Sequence, residues 1–176
     1  MKTRKINFAS YFCAAIALSL APFCANAYAA DATVQVQLNV KNAAPRAVES
    51  LTERSIVRDY RFAWTSMAQA LELNTLDPLE GPFAGKAKEV LREAVTSQQR
   101  SNLTQEYANQ SHRVEAVFYA PEGDVMELHD TAEYQLQIRD GGKIIHDEHV
   151  VAHYIVLMTP AADRWVVRQL QAVPQF

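Results

Sequence analysis

Between Asp31 and Asn42 the chain alternates. Val34, Val36, Leu38 and Val40 are apolar, and Gln35, Gln37, Asn39 and Lys41 between them are polar. A period of two places the apolar set on one face of an extended strand. No hairpin partner follows, so three fates are open to it: adding to a sheet edge, pairing between subunits, or lying loose as a terminal arm. The pattern then turns helical. Pro45 suits a first helical turn. From there to Leu73, the residues Val48, Leu51, Ile56, Tyr60, Ala63, Met67, Ala70 and Leu71 recur near every third or fourth position, and Phe62 and Trp64 widen the stripe. A helix with so broad an apolar face lies against a sheet. Asn74 and Thr75 stop it. Asp77-Pro78 supports one short turn, Gly81 to Gly85 reads as a loop, and a second helix runs from Lys86 to Gln99 with Ala87, Val90, Leu91, Ala94 and Val95 inward.

After Asn102 the period returns to two. His112, Val114, Ala116 and Phe118 form one strand face. Beyond the turn at Pro121-Glu122-Gly123-Asp124, the residues Met126, Leu128, Ala132, Tyr134, Leu136 and Ile138 form one face of a longer strand. Asp140-Gly141-Gly142-Lys143 is a hairpin signal, because its glycines can take positive φ. Ile144 to Thr159 is a third strand, apolar on both faces toward its end and so central there. Pro160 to Asp163 turns into the last strand, Arg164 to Val173. Helices followed by four consecutive antiparallel strands predict an α+β domain. Trp64, Phe62 and Phe118 read as core.

The first thirty residues change the setting. Lys2, Arg4 and Lys5 precede an apolar run from Phe8 to Phe23, and small residues follow at Ala25, Ala27 and Ala29. This order predicts a secretory signal peptide cleaved after Ala27 or Ala30. A membrane anchor is disfavoured by the short run and by Pro22, and a lipid anchor on Cys24 by Phe23 before it. The organisation expected is signal 1–30, strand or arm 31–44, and one α+β domain 45–176, periplasmic or secreted. Cys13 and Cys24 both lie in the leader, so the exported chain relies on its core rather than on disulfides. Loss of three leader cations leaves 14 lysines and arginines against 20 acids, a net charge of −6 over residues 31–176. That is no nucleic-acid footprint.

Candidate chemistry is sparse. His149 and His153 share a strand face but lie too far apart to share a metal. Counting from the Gly141-Gly142 turn sets His129 opposite residue 154 rather than His149. No metal and no cofactor is expected. Asp130 stands out because it falls on the apolar face between Leu128 and Ala132. There it either sits at a bulge in water or faces a cavity beneath the helices, where desolvation would suit it to general-base work. Tyr134 and His112 are the partners it would use, and Tyr60, Trp64, Asp130 and Tyr134 form the ligand-facing set. Val151, Ile155 and Leu157 make an apolar strip on the other sheet face, a surface suited to association.

The Trp64-bearing helix, Tyr154-Ile155-Val156-Leu157 and Arg164-Trp165-Val166-Val167 together resemble the nuclear transport factor 2-like (SnoaL-like) superfold. Leu79, Gly85-Lys86-Ala87, Leu91 and Val95 before the hairpin are similar to the inner-envelope-space type of domain in plastid-division proteins. The resemblance implies helices packed in the concavity of a curved four-stranded antiparallel sheet, a cystatin-like cone. It covers about Ser50 to Val173 and leaves Thr33 to Val40 outside. The superfold hosts enzymes and binding modules alike. The reading adopted is an exported non-catalytic binding or assembly domain of the cell envelope. It would take a protein partner or a small apolar ligand, or pair as a homodimer through its sheet. The alternative is a small-molecule lyase or isomerase using Asp130.

Overall fold

Helix α1 spans Ser50–Leu73 and presents Ile56, Tyr60, Ala63, Trp64, Met67, Ala70 and Leu71 as one buried face. It begins later than Pro45, because Ala44–Pro45 forms a short strand instead, β2, and Glu49 takes the extended N-cap conformation. It ends at Asn74, which adopts the left-handed conformation (φ 52°) and turns its N–H back to Ala70 O. Asparagine tolerates that conformation through its short polar side chain. A 3₁₀ turn at Asp77–Leu79 leads to α2, Gly85–Ser101, which buries Ala87, Leu91, Val95 and Gln98. The computed structural model describes residues Val34 to Phe176. The expected signal peptide lies outside the described residues.

Both helices lie on one face of a sheet made of β1 (Gln35–Asn39), β2, β3 (Leu103–Tyr119), β4 (Met126–Asp140), β5 (Lys143–Pro160) and β6 (Trp165–Val173). The spatial order is β1-β3-β4-β5-β6, with β2 also on β3. The four long strands run antiparallel in sequence, as their alternation predicts. The expected four-stranded antiparallel sheet is nevertheless corrected to a six-stranded mixed one. β1 and β2 both add to the free edge of β3, parallel to it, pairing Val36 with His112 and Ala44 with Phe118. A parallel partner far away in sequence is invisible to a reading that looks for hairpins. Val34 is buried and Val36, Leu38 and Val40 pack half-buried against the core.

Bulges decide which side chains face the helices. Asn109, in the left-handed conformation, sits in a register shift between Ala108 and Ser111. A second shift between Ala116 and Phe118 turns Tyr119 inward, at 3 % exposure, and leaves Phe118 at 39 %. This corrects the assignment of Phe118 to the core; Phe62, at 43 % exposure on α1, is corrected likewise. A third shift next to Ile138 sets His129 opposite Ile155, one residue beyond the count from the turn. Each extra residue bends its strand and raises its twist. Gly141 and Gly142 both take positive φ in the two-residue β4–β5 turn.

The two ends of the sheet differ. β6 begins pairing with β5 only at His153, so Lys143 to Ala152 of β5 has a neighbour on one side alone. At the other end Pro82 to Ala84 extends the edge of β6. Val167 N–H donates to Pro82 O, and Ala84 N–H donates to Val167 O.

Trimming the chain to begin at Asn42 removes one buried and three half-buried apolar side chains, on the order of 4 kcal/mol of burial. The trimmed protein is expected to melt about 10–15 °C lower, measured by circular dichroism. An unchanged melting point and an unchanged solution mass would show that β1 is only a tether.

Candidate functional site

Asp130 is fully buried, in regular register between Val114 of β3 and Tyr154 of β5, so no bulge carries it to water. Its Oδ2 accepts a hydrogen bond from Tyr60 Oη at 2.7 Å and pairs with His112 Nδ1 at 2.7 Å. Tyr60 reaches it from α1, and His112 from the neighbouring strand β3, two residues along from the Asp130 register partner Val114. A carboxylate oxygen accepts, which makes Nδ1 of His112 the donor to Asp130 Oδ2. Nε2 of His112 and Oδ1 of Asp130 are both buried without a partner among the described residues.

An aromatic wall encloses the pair. The Trp64 ring lies 4.3 Å from the His112 ring and 5.4 Å, edge on, from Tyr154. Tyr60 meets both Trp64 and His112 edge on. Tyr60, Trp64, His112 and Asp130 therefore meet, and Tyr134 joins them only through the Trp64 ring, at 6.3 Å. Tyr134 stands apart from the carboxylate. Its hydroxyl pairs with that of Tyr154 at 3.1 Å, and its ring packs on Tyr107 at 5.1 Å. Burial holds the Tyr60 phenol well above its ordinary value, and the adjacent Asp130 charge adds to this. Burial raises Tyr107 and Tyr154 as well. The space bounded by Tyr60, Trp64, Met67, Phe83, Val167 and Leu170 has no volume for a water molecule.

In chemical terms this is a base-orienting dyad with a phenol donor, closed to solvent. A molecule would reach the imidazole Nε2 only by entering between α1 and the sheet. The remaining histidines lie on strand surfaces. His129 stacks on Phe176 at 4.5 Å, His149 pairs with Glu133 and His146 with Glu148. Among the described residues no group of three or more His, Cys, Asp and Glu is placed to hold a metal.

Two buried polar residues have a role that the sequence pattern alone does not assign. Asp59 is 4 % exposed; its Oδ2 accepts from the Trp165 backbone N–H at 2.8 Å, and both its oxygens accept from Arg58. Gln98 of α2 donates to Leu71 O and Asn74 Oδ1 and so seals the end of α1. The signal for Asp59 is the one that marks Asp130, an acid inside an apolar stripe, here between Ile56 and Tyr60.

No family model matches this chain, and no curated protein matches it. Among solved structures it is similar to the intermembrane-space region of the chloroplast protein ARC6, with a TM-score of 0.57 and 12 % identity over 73 % of this chain and 98 % of that one. At that identity the likeness is one of fold. It supports the inner-envelope-space type of architecture expected from Leu79 to Val95. A de novo designed β-sheet protein also aligns, at TM-score 0.35 and 16 % identity, over 68 % of this chain and 88 % of that one. Among the described residues no helix is long and apolar enough to cross a membrane.

Replacing Asp130 tests the cluster. Asp130→Asn keeps one oxygen for Tyr60 and His112 and removes a buried charge, so its stability should stay within about 1 kcal/mol of the parent or rise. Asp130→Ala strands a buried phenol and a buried imidazole and should cost about 2–4 kcal/mol more than Asp130→Asn in urea denaturation. Alkaline titration gives a second check. Phenols raised in the folded state stabilise it fully below the unfolded value near 10, and that contribution falls as pH rises toward their folded values. The absorbance of Tyr60, Tyr107 and Tyr154 phenolates should therefore appear only together with unfolding. A smooth titration near pH 10 with retained secondary structure would contradict their burial.

Proposed function

We propose that this chain is an exported, non-catalytic binding or assembly domain of the cell envelope, periplasmic or secreted. The observation that carries the reading is the closure of the Tyr60–Asp130–His112 cluster, with Asp130 and His112 at 0 % and 1 % exposure. A polar cluster so enclosed serves to hold a helix on a sheet. The basic start, apolar run and Ala-x-Ala site of the leader support export. The likeness to an intermembrane-space region supports an envelope setting by analogy of fold. Helices gathered on one face of a bulged sheet also support membership of the nuclear transport factor 2-like superfold. The partner in this reading is a protein. A second copy would use the outward strip Val151, Ile155 and Leu157. A small apolar ligand would require α1 to lift.

A second reading, a lyase or isomerase with Asp130 and His112 as its base pair, is favoured by one observation. Asp130 Oδ1 and His112 Nε2 are buried with no partner, and such atoms are expected to be satisfied. A substrate or water would satisfy them if the cluster opened.

One preparation separates the readings. The full chain is expressed with its leader in a Gram-negative host, recovered from the periplasm and treated with diethylpyrocarbonate. Mass spectrometry should find an N-terminus between Tyr28 and Asp31 and, among the histidines, modification at His129, His146, His149 and His153 but not His112. A cytoplasmic chain that keeps Cys13 and Cys24 would overturn the export reading. Rapid modification of His112 in the folded protein would favour the enzyme.

A further inference from the structure

The outward face of α1 carries Arg54, Arg58 and Arg61, spaced four and three residues apart, so they climb one side of the helix in steps of about 6 and 4.5 Å. All three are exposed. Two adjoining depressions run along them and share Arg58. The first, of about 410 Å³, is lined by Arg54, Val57, Arg58 and Arg61, with Glu53 at its side. The second, of about 360 Å³, continues through Arg58 to Phe62, Asp163 and Arg164.

The charges along this groove are unequally used. Arg58 holds Asp59 through two hydrogen bonds, at 2.7 and 3.0 Å. Arg164 holds Asp163 at 3.1 and 2.8 Å and lies over the Phe62 ring at 5.4 Å. Arg54 and Arg61 make no side-chain hydrogen bond or ion pair among the described residues, and Glu53 is the one acid in the groove that is likewise uncommitted. Like charges three and four residues apart weaken a helix unless an anion neutralises them. The chain as a whole is acidic, so this basic row stands against its general charge. Leu51, 72 % exposed, and Phe62, 43 %, supply apolar surface on the same side of the helix. Arginine beside exposed aromatic and aliphatic side chains is the composition of an interface centre.

The geometry points to a docking groove for an acidic amphipathic helix of a protein partner, its carboxylates at i, i+4 and i+7 meeting Arg54, Arg58 and Arg61 and its apolar residues covering Leu51 and Phe62. An acidic helix repeats the spacing of the arginines turn for turn, and guanidinium forks pair bidentately with carboxylates. The depressions between the arginines admit side chains. A bilayer presents a plane and would bridge them, which favours a protein occupant over an anionic lipid surface. This inference rests on the binding reading above and gives it a place and a partner chemistry.

The test uses the exported chain and a fluorescein-labelled helical peptide with Glu at i, i+4 and i+7 and Leu on the adjoining stripe, read by fluorescence anisotropy. A peptide of the same composition in scrambled order is the control, and vesicles of phosphatidylglycerol and phosphatidylcholine are the competing surface. The ordered peptide should bind at least tenfold more tightly than the scrambled one, and weaken steeply between about 0.05 and 0.5 M salt. The double variant Arg54→Glu/Arg61→Glu should lose roughly tenfold or more. Arg54→Gln/Arg61→Gln, which removes charge without reversing it, should lose less and guards against a folding defect. Equal binding of both peptides, indifference to both variants, or binding to vesicles without peptide discrimination would overturn the groove. Those outcomes leave the export and histidine-modification results untouched, so the groove can fail while the binding reading stands.

Discussion

A carboxylate removed from water needs donors from its neighbours, and Asp130 draws both from side chains, Tyr60 on α1 and His112 on β3. That demand sets the rotation of the long helix, because only one phenol along it reaches the acid. With Tyr60 placed, Trp64 one turn on has to lie against the imidazole, and its ring fills the space between Tyr60, His112 and Tyr154. The residue before Tyr60 makes a second tie. Successive helical positions differ by about 100°, so Asp59 points away from β4 and meets the Trp165 N–H at the start of β6. Adjacent residues thus tie α1 to the middle of the sheet and to its edge. The apolar stripe supplies the burial, and the two acids supply the direction.

The alternation of β4 makes Asp130 legible as an inward residue from the amino-acid sequence alone, and the same alternation puts His112 inward on β3. Periodicity within a strand is robust because side chains alternate whatever the neighbours are. Register between strands is not, since a single extra residue beside Ile138 shifts every pairing beyond it. The Ala116–Phe118 shift exchanges Phe118 for Tyr119 in the core by the same mechanism. β1 is legible as a strand but not as the parallel neighbour of β3, because no local feature encodes a partner 76 residues away. Tyr134 is expected beside Asp130 from its inward position, yet Tyr154, across the strand, takes its hydroxyl instead. Asp59 carries a visible signal in the stripe of α1, whereas Gln98 acts through the end of another helix and leaves none.

The helix side of the sheet and its outer surfaces do different work. Inside, polar groups are few, enclosed and aimed at one another. Outside, the arginine row of α1 and the histidines of β4 and β5 are accessible and mixed with single apolar residues. Rigidity is supplied from within, and the exposed positions are ones that the fold does not constrain.

The half of β5 between Lys143 and Ala152 leaves a row of backbone donors and acceptors with no strand beside them, in a segment that also exposes Ile144, Ile145 and Val151. Such a row is a template on which another chain could grow. At its centre stands His146-Asp147-Glu148-His149. Two molecules meeting edge to edge would bring four carboxylates into close quarters as backbone pairing began, and the approach would be repelled before it could zip. Charged side chains are thus set where the sheet is least covered, the arrangement by which an open edge resists pairing with another chain.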